Sequence, residues 1–462
     1  MIDRLFFVVL VLNATGLFRF VAPQFGVSIG LVSLVLLGLH GVYLLSRRRY
    51  LVLLLRGGDA KSWLFLLCFW PILTGIYAPT LEFRPIALQL YYVSLFLGTC
   101  VYTIANGLTS VYRVILVSLA ISIFGLTLSM IIPEYFEEVA FLADARSSYM
   151  GRSFGFFMQP NALATGLSFL FIGFFSLWNS RSVFHEAFAL LAFFLAMLLT
   201  GSRTGMLMAA MVVALHFTYQ WMAGLRWEGA ILRFNKKLLI LTICTILGVA
   251  VARIYMSSME WQMQRSELDL IQRVSSLFDL RLSKDNRLEN DISLRERLIA
   301  QKVYRKFIDK KPFLGHGLGA EDYYLKRGAI YLSSHSTAHR LAMEYGVFYP
   351  ILFVVLMLRL AMNRHRAEVE SVFGTNSVWQ FTLLICVFFV LTGEQLNSRT
   401  FYVVFGMFYS AVHQRESLFC QDSASKGIDA CMSRKSIRSL PFSCNKSDKF
   451  CHSFSNDLER AG

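Results

Sequence analysis

Charge is what this sequence has least of. Only 16% of its 462 residues are charged, against roughly 25% in a soluble domain. By contrast 55% are hydrophobic and 15% aromatic, with 41 Phe, which is a membrane protein's composition. Other absences narrow the class further. The eight Cys show no zinc-ligand spacing: Cys68, Cys100, Cys244 and Cys386 lie in apolar runs, and Cys420, Cys431, Cys444 and Cys451 lie near the C-terminus. No basic stripe with interleaved aromatics stands on a soluble module, so the net charge of +15 is not read as a nucleic-acid footprint. The positive-inside bias of membrane proteins accounts for much of it. No small-residue cleavage site follows the first apolar run, so that run is read as a retained helix rather than a signal peptide. The glycines of GHGLG (Gly315, Gly317, Gly319) follow no predicted strand, which argues against a dinucleotide site.

What is present is a series of apolar runs, each long enough for a helix that crosses a bilayer in about 20 residues. They fall at Leu5–Ala22, Val27–Ser46, Ser62–Pro79, Ile86–Asn106, Val111–Pro133, Asn161–Trp178, Val183–Leu199, Thr204–Met222, Leu238–Met256, Val347–Asn363, Ser377–Thr392 and Thr400–His413. The expected fold is therefore an all-α polytopic membrane protein with about twelve transmembrane helices and one large external helical loop. Residues 1–256 form an N-terminal membrane part, 257–346 the large loop, 347–416 a C-terminal membrane part, and 417–462 a disordered cytoplasmic tail rich in Ser, Lys and Cys.

Charge orients the series. With the N-terminus in the cytoplasm, the short basic loops at Arg47, Arg113, Arg181, Arg226 and Arg364 all face the cytoplasm, as the positive-inside rule requires. The same alternation puts residues 134–160, the turn TGSRTG, residues 257–345 and the turn 394–399 outside. Within the large loop, charges at helical spacings predict amphipathic helices on the membrane face.

Three external features carry chemistry. Arg203 sits in TGSRTG at a helix junction. It reads either as a snorkelling anchor or, with Gly201, Ser202, Thr204 and Gly205 allowing close approach, as a guanidinium fork for phosphate oxygens. Arg295 and Arg297 precede Lys310, Lys311 and Pro312, a C-terminal stop for an amphipathic helix. In HSTAHRLAMEYG, His335 and His339 are four residues apart, a spacing that shares one helical face. A third metal ligand is not in sight and the zinc-protease pattern is absent. The alternatives are a general base acting on a hydroxyl or a structural histidine.

The ordered set resembles the O-antigen ligase and polymerase superfamily. It runs GRSFGFFMQPNALA, an apolar run, TGSRTG, an Arg upstream of PFLGHGLG, then a His with Glu and Gly nine and eleven residues on. The resemblance covers about residues 152–349. It implies a bacterial inner-membrane glycosyltransferase with cytoplasmic termini and a periplasmic site. Its donor would be a glycan on a polyprenyl (undecaprenyl) diphosphate, and its acceptor a lipid A core or glycan hydroxyl. Membrane lipids surround it, and no cofactor or metal is required. On this resemblance His335 is the catalytic base, and Arg203 and Arg297 bind the diphosphate, with Arg295 as a nearby competitor. Glu344, His339, Ser202, Arg152 and Asn161 are supporting residues. Many relatives have Asn after the catalytic His where this chain has Ser336, which keeps His339 open as a second candidate base. Ligase and polymerase share these motifs, and the ligase reading is the one expected here. A transporter or flippase is the competing class; it calls for midplane charges and often an internal repeat, and no repeat is visible.

Overall fold

In the computed structural model the first apolar run is not one rod. Helices α1 (Ile2–Thr15) and α2 (Leu17–Gln24) meet at 90°. Gly16 between them has φ 68 and ψ 3, the left-handed region that L side chains rarely adopt. A Cβ at this position would also press to 3.2 Å from the Phe156 carbonyl oxygen. The single helix expected over Leu5–Ala22 is corrected to a bent pair, because hydropathy does not register a glycine's φ.

The structure describes residues 1–56, 58–76, 78, 83–142, 153–177, 183–200, 202, 205, 208–209, 212, 292–330, 336–363 and 398–410, all within the compact unit Met1–Ser410. Every regular element among them is helical. Helix α3 (Ile29–Ser46) starts where Ser28 Oγ accepts the Leu31 N–H at 3.2 Å, a standard N-cap geometry. It buries Leu36, His40 and Tyr43 and turns Leu31, Leu34, Val35, Val42 and Leu45 outward, an apolar outer face suited to lipid. At its end Arg47 clamps Asp3 at the start of α1. The expected basic loop after it is helical instead: α4 (Arg48–Arg56) buries Leu54 and exposes Arg48 and Arg49.

The third run is α5 (Gly58–Leu64), a π-helical turn (Phe65–Phe69) and α6 (Trp70–Gly75). Pro71 has no N–H to give the carbonyl four residues back, and that carbonyl, Leu67 O, is met by the Gln89 side-chain amide. Helix α7 (Phe83–Ile131) breaks at Gly107 into arms Phe83–Gly107 and Thr109–Ile131, near the two runs expected there. The loop expected over 134–160 is corrected at both described ends: it opens with α8 (Pro133–Leu142), and residues 154–158 are packed inside. Phe154, Phe156 and Met158 are buried against Phe20, Phe136 and Val139, so the FGFFM string is an aromatic plug. Helices α9 (Pro160–Leu177) and α10 (Val183–Leu199) follow as expected.

Downstream lie α11 (Ile292–Lys310), α12 (Ala320–Lys326), α13 (Thr337–Tyr345) and α14 (Phe348–Asn363), then a terminal helix over 399–410. The terminal helix packs along the first arm of α7. Tyr92 stacks on Tyr402 (4.8 Å) and Phe96 on Phe405 (5.0 Å), and Cys100 Sγ donates to the Gly406 carbonyl at 3.4 Å. Small residues such as Gly406 allow this close approach where lipid supplies no hydrophobic drive between helices.

Among the described residues three helices are long and apolar enough to span a bilayer: α3 and both arms of α7. The bent α1–α2 pair makes a fourth if it counts as one span. Helices α9, α10 and α14 are apolar but shorter. The runs expected at Thr204–Met222, Leu238–Met256 and Ser377–Thr392 lie largely or wholly outside the described residues, as do 257–291 and the tail.

Candidate functional site

The polar island between α10 and α14 is held together by α11 and α13. Tyr304 on α11, fully buried, donates its hydroxyl to Glu321 on α12. Arg340 on α13 bridges the acids, with Nε 2.9 Å from Glu321 Oε2 and 3.7 Å from Glu344 Oε2. Glu344 Oε1 also accepts the Glu321 backbone N–H at 3.4 Å. Two carboxylates thus share one guanidinium in a buried pocket, and the consequences for charge are marked. Burial, with Glu321 and Asp322 adding to it against the pull of Arg340, pushes Glu344 up to about 7. Burial disfavours the Arg340 cation, yet Glu344 and Glu321 hold its pKa above the ordinary value. Burial and then Glu321 raise the Tyr304 phenol.

The glycine string fastens this cluster to the membrane part. His316 N–H donates to the Met343 carbonyl, Gly317 N–H to the Glu344 carbonyl and Val347 N–H to the Pro312 carbonyl, each at 2.8 Å. Gly317 has φ 96, and a Cβ there would lie 2.6 Å from Ala78 Cα and 2.7 Å from the Thr74 carbonyl oxygen. Only glycine lets the island's backbone press so closely on the end of α6. Trp70 Nε1 adds a bond to the Tyr345 carbonyl at 3.0 Å. His316 is nearly buried: Nε2 donates to the Phe307 carbonyl (2.9 Å), leaving Nδ1 to accept from Tyr324 Oη (3.1 Å). Burial lowers its pKa, and with both ring nitrogens engaged it packs the island.

Helix α13 begins at Thr337 with Ser336 as N-cap, its Oγ accepting the His339 N–H. Of the two histidines only His339 stands on this helix. It is half-buried, with Nδ1 3.0 Å from Ser336 Oγ, and burial followed by Arg305 lowers its pKa. Residue 335 lies outside the described residues, as do Arg152 and Arg203. Arg295 and Arg297 lie on the first half of α11, and their side chains are outside what is described.

On the membrane side the structure joins two supporting residues. Ser202 Oγ donates to Asn161 Oδ1 at 2.7 Å and accepts the Gly205 N–H at 3.1 Å. The small-residue turn is thereby tied to the first turn of α9, a contact between two motif strings that sequence spacing does not reveal. Glu344, by contrast, is committed to Arg340 and Glu321. The sequence reading missed Tyr304, Glu321 and Arg340; the one visible signal was the i, i+4 spacing of Arg340 and Glu344. No group of three or more His, Cys, Asp or Glu that could hold a metal ion occurs among the described residues.

Among the described residues the fold and these contacts define a class: a helical protein with helices long and apolar enough to cross a membrane and a polar island docked on their ends. Residues 188–354 match the O-antigen ligase family. That match supports placing the chain in the O-antigen ligase/polymerase superfamily, whose members are membrane glycosyltransferases. No curated protein matches the chain.

Proposed function

We propose that this protein transfers a glycan from a polyprenyl diphosphate carrier to an acceptor sugar hydroxyl on the outer face of a bacterial inner membrane, as an O-antigen ligase does. The observation that carries the reading is the family match over 188–354, which contains Arg203, Arg295, Arg297, His335 and Glu344 together. Docking of the island onto the membrane helices through Gly317 and Trp70 adds support, since two large substrates must meet at one place.

In this mechanism His335 takes the proton from the acceptor hydroxyl as its oxygen attacks the anomeric carbon. The bond from that carbon to the diphosphate oxygen breaks, the electron pair leaves with the diphosphate, and the configuration inverts. Arg203 and Arg297 bind the diphosphate and stabilise the charge that builds on it. This charge stabilisation comes from the guanidinium groups, with no metal in the step. Spacing favours Arg297 over Arg295, since Arg297 stands fifteen residues before Pro312 of the PFLGHG string, as the family resemblance calls for. Holding donor and acceptor in line supplies much of the rate.

His335→Ala at equal membrane abundance should reduce surface polysaccharide by roughly 10²–10⁴-fold in rate, the usual worth of a general base. Undiminished product sinks the assignment. Arg203→Lys and Arg297→Lys should each impair transfer by loss of the bidentate fork. For a polymerase, deletion strands single repeats on the carrier; for the ligase proposed here, it strands long polymer.

A further inference from the structure

The GFFMQPNALA string does more than plug the interior. Gln159, Ala162 and Thr165 line a cavity of about 320 Å³ together with Asn13, Arg19 and Arg399. It lies where the first helix pair bends at Gly16, with Ser398, Arg399 and Thr400 on its wall. Thr400 Oγ1 donates to the Ala14 carbonyl at 2.8 Å, which fixes the backbone of Arg399 at the bend.

Arg399 is only 6% exposed. Its Nη2 donates to Ser33 Oγ at 3.1 Å, and its guanidinium carbon lies 4.2 Å from the Phe18 ring centre and 4.9 Å from that of Tyr91. Nε and Nη1 are buried without a hydrogen-bond partner. The other cation on the wall is Arg19. Among the described residues neither pairs with a carboxylate. An unpaired buried guanidinium carries a heavy desolvation penalty, and a second cation facing the same void increases it. What relieves both is an anion with several oxygens, met by the planar fork of Arg399 and a second charge from Arg19.

We propose that this cavity is a binding site for a phosphate-class oxyanion, a phosphate or diphosphate group, held by Arg399 and Arg19. It is argued from residues other than Arg203 and Arg297 and does not depend on the transferase reading. The site is built from the broken first helix, the plug, the first arm of α7 and the terminal helix. The island meets the same helix end, since Gly319 packs on Pro85 one turn before the lining residue Leu88.

The test uses the full-length purified protein in detergent, in an Arg203→Gln/Arg297→Gln background that removes the other clamp, at constant ionic strength. Inorganic pyrophosphate should raise the thermal midpoint saturably. Arg399→Met and Arg19→Gln should each weaken that effect at least tenfold in apparent affinity. Without ligand, Arg399→Met should melt no lower than its parent, because it deletes an unpaired buried charge. A second arm replaces pyrophosphate with mixed micelles carrying phosphatidic acid; Arg399-dependent stabilisation there alone assigns the site to a lipid headgroup. The proposal is overturned if neither probe stabilises the background protein, or if Arg399→Met leaves the stabilisation intact. A lower ligand-free midpoint with anion binding unchanged marks Arg399 as structural.

Discussion

Glu344 has a carboxylate whose neighbours decide its charge. Its pKa is raised to about 7 by burial, with Glu321 and Asp322 on one side of the balance and Arg340 on the other. A carboxyl group with a higher pKa folded than unfolded binds more protons in the native state. Its contribution to stability is full below the ordinary carboxylate pKa and is lost as pH rises through about 7. Hydrogen-exchange protection on α12 and α13, corrected for the intrinsic pH dependence of amide exchange, should therefore fall between about pH 4.5 and 7. Glu344→Gln keeps the shape without the charge and should flatten that slope; an unchanged slope removes Glu344 as its source. Ser336 belongs to the same scale. It caps α13 and engages His339 Nδ1, so Ser336→Ala should destabilise by about 1 kcal/mol, the typical worth of an N-cap. Ser336→Asn should be nearly neutral, since Asn caps as well as Ser. Urea or thermal melts of the two variants would read the difference, and the Ser336 departure from the family's common Asn is then explained by equal capping.

The elements show what hydropathy reads and what it does not. Runs such as Val183–Leu199 coincide with helix α10 because a long apolar run in lipid has to satisfy its own backbone bonds. Breaks within runs depend on single residues. The bend at Gly16 needs a positive φ, and the π turn before Pro71 needs an outside donor for the Leu67 carbonyl. That donor is Gln89, on a different helix and 18 residues beyond Pro71, so no local pattern announces it. Gln89→Leu should lower stability by about 1–3 kcal/mol, the penalty for a buried carbonyl left without a partner. Adding Pro71→Ala supplies an N–H within the helix and should recover part of the loss. Equal melting of Gln89→Leu and the unsubstituted protein would show that the carbonyl finds another donor. The plug fails to announce itself for a related reason. Phe154, Phe156 and Met158 fall at every second position, but Phe157 between them is buried as well, so alternation marks no face, and only the tertiary contacts with Phe20 and Phe136 reveal the plug.

For the whole molecule, the candidate site was legible as ordered strings and illegible as a place. Ser202 and Asn161 are 41 residues apart and hydrogen-bonded, and Gly317 rests on Ala78; neither contact follows from spacing. The contacts also give the ends of the helices a pattern that bears on orientation. Asp3 pairs with Arg47, and Asp59 pairs with Arg359, so the starts of α1 and α5 meet the ends of α3 and α14. The island rests instead against the end of α6 and the start of α7. If the loops following Arg47 and Arg359 are cytoplasmic, as the charge rule expects, the proposed external placement of the island follows, where a lipid-linked donor and its acceptor would be met. Single cysteines test this in a background with the eight native cysteines replaced. Ala329→Cys and Arg49→Cys are both at exposed positions, one on the island and one on α4. A membrane-impermeant maleimide should label Ala329→Cys in cells whose outer membrane alone is opened, and Arg49→Cys only after the inner membrane is breached. Labelling of both from one side would put the island and the basic helix together and overturn the external placement of the site. Labelling of each from its own side would leave His335, Arg203 and Arg297 on the face where the proposed transfer takes place.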